Sequence, residues 1–269
     1  MYLRLMKYPG SKTVLLPEIK HIFSLSRSNM LIDVFGGSGL VSLNLGVEKT
    51  VYNDIDVKLV NIFTAIRANP VLIKSMLYET LKFVSAEDRN RVSFHRWLLS
   101  NNLYNGPELD LIESIYQYTT GFGGMGNTYA TRNEKSKATF ISKILGNFDK
   151  IQQLVHSWTI ENLDFRKLFE KYRFSEAFFY LDPPYSDRAW YNYNLTRNDY
   201  LDLKSILFKL DRPYLMNIDI TDKELLGIFG KPEFIRRYPN ENGKPGRVND
   251  RIKAFYTNVS GTGRNLSKA

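Results

Sequence analysis

The chain has 269 residues, of which 43% are hydrophobic and 24% charged, so it has enough material for one large soluble domain with a modest insertion. It contains no cysteine, which excludes disulfides, thiolate nucleophiles and cysteine zinc sites, and its three histidines lack metal-ligand spacing. No apolar run is long enough to cross a membrane, and the N-terminus lacks the apolar core of a secretory signal. We therefore expect a cytoplasmic protein without a metal ion.

The formal net charge of +9 favours a polyanionic partner, because clustered lysine and arginine gain affinity by releasing counterions from phosphates. The excess is concentrated at residues 231–269, which carry nine basic and three acidic side chains. Within this segment, Arg247 and Arg251 are candidates for phosphate contacts that do not read the base sequence. A solvated basic surface without a partner is the alternative.

The first elements predicted along the chain are a strand, a turn, a helix, a second strand and a second helix. Residues 31–35 are a short apolar run that ends at glycines, and residues 40–45 have helical spacing. Residues 50–52 form a second strand that is followed by Asp54, and residues 57–66 return to helical spacing. This βαβ order predicts an open α/β sheet.

The rest of the chain is predicted to be a mainly helical insertion followed by further strands. Residues 70–157 are largely helical, apart from a loop rich in glycine, asparagine and threonine at residues 119–133. Strand character returns in three later segments, at residues 177–181, 213–218 and 252–258. We therefore predict an α/β sheet built from residues 1–68 and 158–269 and divided by an inserted helical region at residues 69–157.

A glycine-rich turn follows the first strand, at the place where open α/β sheets bind nucleotides. Gly36, Gly37 and Gly39 lack the G-x-G-x-x-G spacing of dinucleotide sites, and glycine lets the backbone approach a ligand closely. Asp54 lies fifteen residues past Gly39, where a carboxylate can accept hydrogen bonds from both hydroxyls of a ribose. The pattern favours adenosine without a pyrophosphate, and an ordinary tight turn is the alternative.

The strongest single motif is Asp182-Pro183-Pro184-Tyr185, which follows the apolar strand at residues 177–181. The prolines stiffen the loop and leave a backbone carbonyl beside the Asp182 carboxylate, so two acceptors can hold the two hydrogens of an amine. Tyr185 supplies a ring face on which a base removed from its helix can stack. A double proline that only ends a strand is the alternative.

Five motifs, taken in this order, resemble those of the Dam-type, or D12 class, N6-adenine DNA methyltransferases. They are residues 7–12 (KYPGSK), 35–39 (FGGSG), 53–54 (ND), 164–165 (DF) and 182–185 (DPPY), and the resemblance covers nearly the whole chain. It implies a Rossmann-like S-adenosylmethionine-dependent methyltransferase sheet with an inserted, mainly helical target-recognition region. It also implies double-stranded DNA as substrate, a flipped-out adenine, S-adenosyl-L-methionine as cofactor and S-adenosyl-L-homocysteine as product.

The resemblance also assigns site residues. The cofactor pocket is assigned to Tyr8, Gly10, Lys12, Asp33, Phe35, Gly36, Gly37, Ser38, Gly39, Asp54, Ile55, Asp164, Phe165 and Asp182. Catalysis is assigned to Asp182, Pro183, Pro184 and Tyr185. For Lys12 the alternative is a solvated lysine, and for Phe165 it is a core aromatic residue.

The inserted region departs from the family pattern. Members that read GATC usually have an FNGLxR-like string followed by an FN-P-FG segment, whereas this chain has GFGGMGN at residues 121–127 and KATF at residues 137–140. The inserted region therefore does not support GATC as the target, and the recognised sequence stays open. The candidates for groove or phosphate contacts are Arg132, Asn133, Lys135 and Lys137, and those for the wall of the base pocket are Trp190, Tyr191 and Tyr193. For the polar and basic residues the alternative is a loop that is merely exposed, and for the three aromatic residues it is a packed core.

The motifs predict methyl transfer by in-line displacement, without a metal or a covalent nucleophile. Asp182 and the Pro183 carbonyl would accept hydrogen bonds from the adenine N6 and stabilise its developing positive charge. Aspartate in the first position of DPPY favours adenine over the N4 of cytosine. Two alternative functions stay open: an RNA adenine methyltransferase and a catalytically silent DNA-binding module. The sequence also leaves open whether a cognate restriction endonuclease is a partner, which sequence is recognised and what the oligomeric state is.

Overall fold

The fold is that of a computed structural model, in which residues 2–7, 12–86, 93–121, 134–186, 193–238 and 251–262 are described. The strands in these ranges are β1 (Met30–Asp33), β2 (Lys49–Asn53), β3 (Thr159–Glu161), β4 (Phe178–Leu181), β5 (Tyr214–Asp219), β6 (Phe234–Tyr238) and β7 (Arg251–Thr257). The helices are α1 (Leu16–Ser26), α2 (Leu40–Leu45), α3 (Val57–Ala68), α4 (Pro70–Ser85), α5 (Phe94–Ser100), α6 (Gly106–Thr120), α7 (Glu134–His156), α8 (Phe165–Tyr172), α9 (Arg197–Lys209) and α10 (Lys223–Phe229).

The strands of the described chain form one sheet in the order β3-β2-β1-β4-β5-β7-β6. The strands β1 to β5 pair in parallel, whereas β7 runs antiparallel to both β5 and β6. The chain moves outward from β1 through β2 to β3 and then returns to β4 on the other side of β1, so the strand order reverses there. Open α/β sheets bind their ligands at the carboxyl ends of the strands beside such a reversal.

Strand β7 brings a late part of the chain back to this edge of the sheet. Because β7 is antiparallel to β5, its first residues lie beside the last residues of β5, and Lys253 is in register with Asp219. On the outer strand β6, Arg236 donates to Glu18 of α1 at 2.8 Å. Two basic residues of the C-terminal excess, Arg236 and Lys253, therefore pair with acidic residues of the same chain.

Helices pack on both faces of the sheet because its central strands are apolar. All four residues of β4 are buried. On one face, Phe179 stacks on Phe169 of α8 with ring centroids 4.9 Å apart, and on the other, Phe178 meets the edge of Phe23 of α1 at 5.4 Å. Full burial of one side chain of this size stabilises the folded state by roughly 1.5–3 kcal/mol. The packing therefore fixes the position of β4 and of the loop that follows it.

The helices α4 to α7 share an apolar core with α3. Phe63 of α3 belongs to the same buried cluster as Met76 of α4, Ile115 of α6 and Phe148 of α7. The mainly helical region predicted from periodicity is therefore present, and its core continues into the helix beside the sheet. The division of the chain at residues 69–157 and the role of this region in target recognition stay predictions.

The structure confirms the five predicted strands and adds two short ones that were not predicted. Strand β3 has three residues, too few for alternation to identify, and β6 carries two arginines that made it look like part of a basic segment. The predicted helices at residues 40–45 and 57–66 correspond to α2 and α3. Among the described helices, none combines the length and the apolar character needed to cross a membrane.

Candidate active site

The glycine-rich turn after β1 is held against β2. The Gly36 N–H donates to the carbonyl of Asn53 at 2.7 Å, and the Tyr52 hydroxyl donates to the carbonyl of Gly37 at 2.7 Å. A Cβ at Gly36 would overlap the Tyr52 ring, and a Cβ at Gly39, where φ is +67°, would overlap an aromatic ring of α3. Glycine at both positions therefore allows the turn to lie this close to β2.

Asp54 follows β2 and faces this turn. One carboxylate oxygen accepts from the Gly37 N–H at 2.7 Å, and the other accepts from the Asp56 N–H at 2.8 Å. Burial raises the pKa of Asp54 to about 6, although these hydrogen bonds oppose the rise. A carboxylate has about four lone-pair sites, so Asp54 keeps capacity for further donors such as the hydroxyls of a ribose. The neighbouring Ile55 is an exposed apolar residue at the same edge.

Asp33, the last residue of β1, is a second buried carboxylate. One oxygen accepts from the Ser42 hydroxyl at 2.7 Å, and the other makes no hydrogen bond within the described part of the chain. Burial raises the pKa of Asp33 to about 7, and the hydrogen bond from Ser42 opposes this only in part. Because buried polar atoms normally have a partner, the second oxygen suits a ligand that brings its own donor.

Asn53 joins the turn to the segment before α8. Its side-chain amide donates to the carbonyl of Leu163 at 3.1 Å and accepts from the Leu163 N–H at 2.9 Å. Asp164 then caps α8 by accepting a backbone N–H of the first turn. The ring of the buried Phe165 lies 5.9 Å from that of Phe35. Two segments assigned to the cofactor pocket therefore lie side by side.

Asp182 directly follows β4 and is held by two side chains. The ammonium of Lys12 lies 2.5 Å from Oδ2, and the amide of Asn217 in β5 donates to Oδ1 at 3.1 Å. Asn217 in turn accepts from the hydroxyl of Tyr180 at 2.7 Å, and both of these residues are buried. The Asp182 carboxylate is therefore fixed in one orientation between β4 and β5.

The rest of the DPPY loop is anchored by hydroxyl contacts. The carbonyl of Pro184 accepts from the Tyr200 hydroxyl at 2.8 Å, and Lys253 donates to the Tyr185 hydroxyl at 2.9 Å. No hydrogen bond between described residues uses the carbonyl of Pro183, so this carbonyl can accept from a ligand. Tyr185 is only 2% exposed, so a base can stack on its ring only after neighbouring atoms move.

The described residues of the predicted site form two adjoining clusters at the carboxyl edge of the sheet. The turn cluster consists of Asp33, Phe35, Gly36, Gly37, Ser38, Gly39, Asp54, Ile55, Asp164 and Phe165. The DPPY cluster consists of Lys12, Asp182, Pro183, Pro184 and Tyr185, with Lys12 placed here by its ion pair. The clusters adjoin because β1 pairs with β4. Tyr8 and Gly10 lie outside the described residues.

Most residues predicted to contact DNA or the flipped base also lie outside the described residues. These are Arg132, Asn133, Trp190, Tyr191 and Arg247, together with the side chains of Lys135 and Arg251. Tyr193 is exposed, whereas Lys137 lies in α7 and is 6% exposed. A lysine residue covered to this extent reaches a phosphate only after rearrangement, so the contact predicted for Lys137 stays a prediction.

Three residues of the DPPY edge were not predicted from the sequence: Asn217, Asp219 and Lys253. Asn217 and Asp219 are two residues apart at the end of β5, and two polar residues with strand spacing at a strand end were a usable signal. Lys253 reaches Asp219 at 2.9 Å only through the antiparallel return of β7, which no local pattern indicates. Among the described residues, no group of three histidine, aspartate or glutamate side chains is placed to hold a metal ion.

The sheet order and the two clusters have the arrangement of a Rossmann-like methyltransferase fold. A mainly parallel sheet carries a glycine turn with an acidic residue after the next strand, and the DPPY loop lies on the neighbouring strand. Residues 8–226 match the sequence profile of the D12 class N6 adenine-specific DNA methyltransferases, and the chain belongs to that family.

Two curated relatives are similar to this chain at low identity. The DNA adenine methylase of Haemophilus influenzae is 26% identical over 193 residues, which cover 67% of this chain and 63% of the relative. The modification methylase StsI of Streptococcus sanguinis is 24% identical over 189 residues, which cover 67% of this chain and 28% of the relative. The chain thus spans less than two thirds of the length of either relative.

Proposed function

We propose that this protein transfers a methyl group from S-adenosyl-L-methionine to the exocyclic N6 of an adenine flipped out of double-stranded DNA. The observation that carries the proposal is the DPPY loop, where Lys12 and Asn217 hold the Asp182 carboxylate next to Pro183. Membership of an N6 adenine-specific DNA methyltransferase family supports adenine as the target base. The names of both relatives, a DNA adenine methylase and a modification methylase, support the same activity.

The turn cluster fits the proposed cofactor. Asp54 keeps acceptor capacity for the two ribose hydroxyls, and the second oxygen of Asp33 suits an ammonium group. Phe35 and Ile55 offer apolar surface for an adenine ring. When bound, S-adenosyl-L-methionine supplies an electrophilic methyl group on its sulfonium.

In the proposed mechanism, Asp182 and Pro183 act on the target amine. The N6 lone pair is delocalised into the purine, and hydrogen bonds from its two N–H groups to the Asp182 carboxylate and the Pro183 carbonyl favour a more tetrahedral nitrogen. As N6 bonds to the methyl group and the methyl–sulfur bond breaks, the new positive charge on the nitrogen, which then loses one proton to water, is stabilised by the negative charge of the carboxylate. Lys12 offsets part of that charge, but together with Asn217 it fixes the direction of the carboxylate, so little reorganisation is needed during the reaction.

The proposed DNA contacts lie in the helical region and near the C-terminus. Residues 132–137 supply polar and basic groups for the grooves and phosphates, and Arg247 and Arg251 supply contacts to phosphates only. Because one relative is a modification methylase, a companion restriction endonuclease is the proposed protein partner.

Expression in a host that lacks DNA methylation tests this function directly. We expect sequencing of the host DNA to show N6-methyladenine in one sequence context, and we expect this signal to disappear when Asp182→Ala is expressed at the same level. Methylated RNA with unmodified DNA would identify an RNA methyltransferase instead. N4-methylcytosine would identify the other amine substrate, and the absence of any methylation would leave a DNA-binding module.

A further inference from the structure

A buried lysine on β7 connects the end of β5 to the aromatic residue of the DPPY loop. The ammonium of Lys253 lies 2.9 Å from the Tyr185 hydroxyl and 2.9 Å from Oδ2 of Asp219. The antiparallel register of β5 and β7 places Lys253 opposite Asp219, which explains the ion pair. Lys253 therefore contacts the site through Tyr185 and is held there by Asp219.

The segment after β5 anchors this connection. Asp219 accepts from the Thr221 N–H at 3.1 Å and from its hydroxyl at 2.9 Å. Asp222, which caps α10, accepts from the Ser186 N–H at 2.8 Å and from its hydroxyl at 2.7 Å. The end of β5 and the start of α10 therefore hold both Ser186 and, through Lys253, the hydroxyl of Tyr185.

Two lysines lie beside the Tyr185 ring, and each of them pairs with a carboxylate. The ammonium of Lys253 lies 4.9 Å from the ring centroid and that of Lys12 lies 5.8 Å from it, and these lysines pair with Asp219 and Asp182 respectively. Burial, together with repulsion from Lys12, lowers the pKa of Lys253 to about 8, although Asp219 and Asp182 favour its charged form. Lys253 therefore loses its charge as the pH rises through about 8.

We propose that Lys253 is a positioning residue for methyl transfer, which acts through the Tyr185 hydroxyl to set where the Tyr185 ring meets the target base. This inference rests on the proposed function, because that function supplies the base. The backbone of Tyr185 follows two prolines, and its hydroxyl is bound by Lys253, so the ring is held at both ends. The movement that uncovers the ring must then come from the atoms around it.

The first test removes the ammonium of Lys253 and keeps its apolar stem, in Lys253→Met. The matched control is Lys204→Met, because Lys204 also donates to an oxygen of the fold, the carbonyl of Ile228 at 2.6 Å, away from the site. We expect the single-turnover methyl-transfer rate of Lys253→Met to fall about ten- to a hundredfold, the usual cost of a misplaced reacting group. Cofactor affinity should stay within about threefold of wild type, because Lys253 contacts Tyr185, which we assign to the target base and not to the cofactor. A rate equal to that of Lys204→Met would overturn the proposal.

A second variant guards against a simple folding defect. Lys253→Met removes the lysine that pairs with Asp219, and a buried carboxylate that loses its cation is strongly destabilising. The double variant Lys253→Met with Asp219→Asn removes both charges. We expect it to fold and to remain slow, whereas recovery of the wild-type rate would show that only charge balance matters and would overturn the proposal.

A double-mutant cycle with Tyr185→Phe tests whether Lys253 acts through the hydroxyl. If it does, adding Lys253→Met to Tyr185→Phe should change the rate by less than about twofold, because the contact is already gone. An equal loss in both backgrounds would mean that Lys253 acts on some other group, which contradicts the proposal.

A measurement on the protein alone separates this inference from the proposed function. The Tyr185 signal of protein with 13C-labelled tyrosine rings is assigned by its loss in Tyr185→Phe and followed from about pH 6.5 to about pH 9.5. We expect it to shift with a midpoint near pH 8 in the wild type and not in Lys253→Met. If Tyr185 titrates in this way but the protein methylates nothing, the result contradicts the proposed function alone. A Tyr185 signal that is the same in wild type and Lys253→Met at every pH, in an active methyltransferase, would overturn the inference alone.

Discussion

Carboxylates lie at two adjoining places on the carboxyl edge of the sheet, and their partners differ. In the turn cluster, Asp33 and Asp54 accept from a serine hydroxyl and from backbone N–H groups, which carry no positive charge. At the DPPY edge, Asp182 and Asp219 each lie within ion-pair distance of a lysine, at 2.5 and 2.9 Å. The same residue type is therefore held by dipoles on one side and by cations on the other.

The pKa values follow from this difference. Burial raises the pKa of Asp33 to about 7 and that of Asp54 to about 6. Burial also raises the pKa of Asp219, but the charge of Lys253 and the hydrogen bonds outweigh it, so its net pKa lies below the usual value. A buried carboxylate without a cation suits a ligand that brings donors or positive charge, whereas a paired carboxylate suits a fixed geometry.

The largest expected effect is on the rate of methyl transfer and comes from replacing Asp182, the lysine-paired carboxylate that we propose contacts the target amine. Asp182→Ala deletes one acceptor for N6 and a negative charge beside a nitrogen that becomes cationic, while Tyr185 stays in place. Losing a preorganised contact of this kind costs about 10² to 10³ in rate, so we expect transfer to fall at least a hundredfold. We expect cofactor affinity to change by less than about tenfold, because the contact serves the other reactant. Single-turnover transfer of labelled methyl groups, run beside binding titrations, measures both.

Two further variants define what Asp182 contributes. Asp211→Ala is the matched control, because the side chain of Asp211 is 81% exposed. Asp182→Asn keeps an acceptor oxygen and removes the charge, which separates hydrogen bonding from electrostatic stabilisation. Near-normal transfer by Asp182→Ala would mean that the amine is activated elsewhere. Lost cofactor binding with normal chemistry at saturation would place Asp182 with the cofactor ligands of the turn cluster.

The next largest effect is expected on cofactor affinity, from replacing Asp54, whose carboxylate accepts from two backbone N–H groups. Asp54→Ala removes the acceptor for the ribose hydroxyls, so we expect cofactor affinity to weaken by about 1–3 kcal/mol, the range for a hydrogen bond to a charged group. The change also removes the acceptor of two backbone N–H groups, so unfolding is measured in parallel and Asp54→Asn serves as the milder variant. Unchanged affinity by calorimetry in a folded variant would remove Asp54 from the cofactor site.

Much of the sheet could be predicted from the sequence, because its inner strands are short apolar runs followed by strong turn signals. Strands β1 and β4 each run directly into a motif, the glycine turn and the DPPY loop. The strand order could not be predicted in the same way. The antiparallel pairing of β7 with β5 joins residues far apart in the chain, and local periodicity carries no information about such a pairing.

Within the site, residues inside contiguous motifs could be predicted, and residues that join motifs could not. Asp54 and Asp182 stand in recognisable strings and lie where the motifs indicate. Lys253 contacts Tyr185 across 68 positions of sequence, and this contact depends on strand register. Lys12 was assigned to the cofactor pocket by resemblance, and its ion pair with Asp182 joins residues 170 positions apart in the sequence.

A smaller effect, on stability, is expected at the turn cluster. Ser42→Ala removes the hydroxyl that donates to Asp33 at 2.7 Å, and a buried acceptor that loses its donor costs about 1–3 kcal/mol. Because Asp33 is ionised above its pKa of about 7, we expect the loss to be larger at higher pH. Urea unfolding at about pH 8 and about pH 5.5 measures the difference. Ser100→Ala, which removes a contact to an exposed carbonyl, is the control, and equal losses at both pH values would contradict the assignment.

The smallest expected effect is an exchange of protons at the turn cluster. In the folded protein the pKa values of Asp33 and Asp54, about 7 and about 6, lie above the ordinary value of 3.8. The folded state therefore binds more protons than the unfolded state between about pH 4 and about pH 7, and the contribution of these groups to stability falls as the pH rises through that range. Asp219, with its lowered pKa, contributes in the opposite direction, because its stabilisation is lost as the pH falls.

Cofactor binding should reverse this proton uptake, because a ligand that brings donors or positive charge favours the ionised carboxylates and lowers their pKa values. At about pH 6.5 Asp33 is about three quarters protonated and Asp54 about one quarter, so we expect S-adenosyl-L-methionine to release up to about one proton per molecule bound. Calorimetry in buffers of different ionisation enthalpy measures this number, because the buffer takes up the released proton. Asp33→Asn should remove part of the release, whereas Asp211→Asn, at an exposed carboxylate, should leave it unchanged. Binding without proton release would mean that the ligand does not act on these carboxylates, and their raised pKa values would then matter for stability alone.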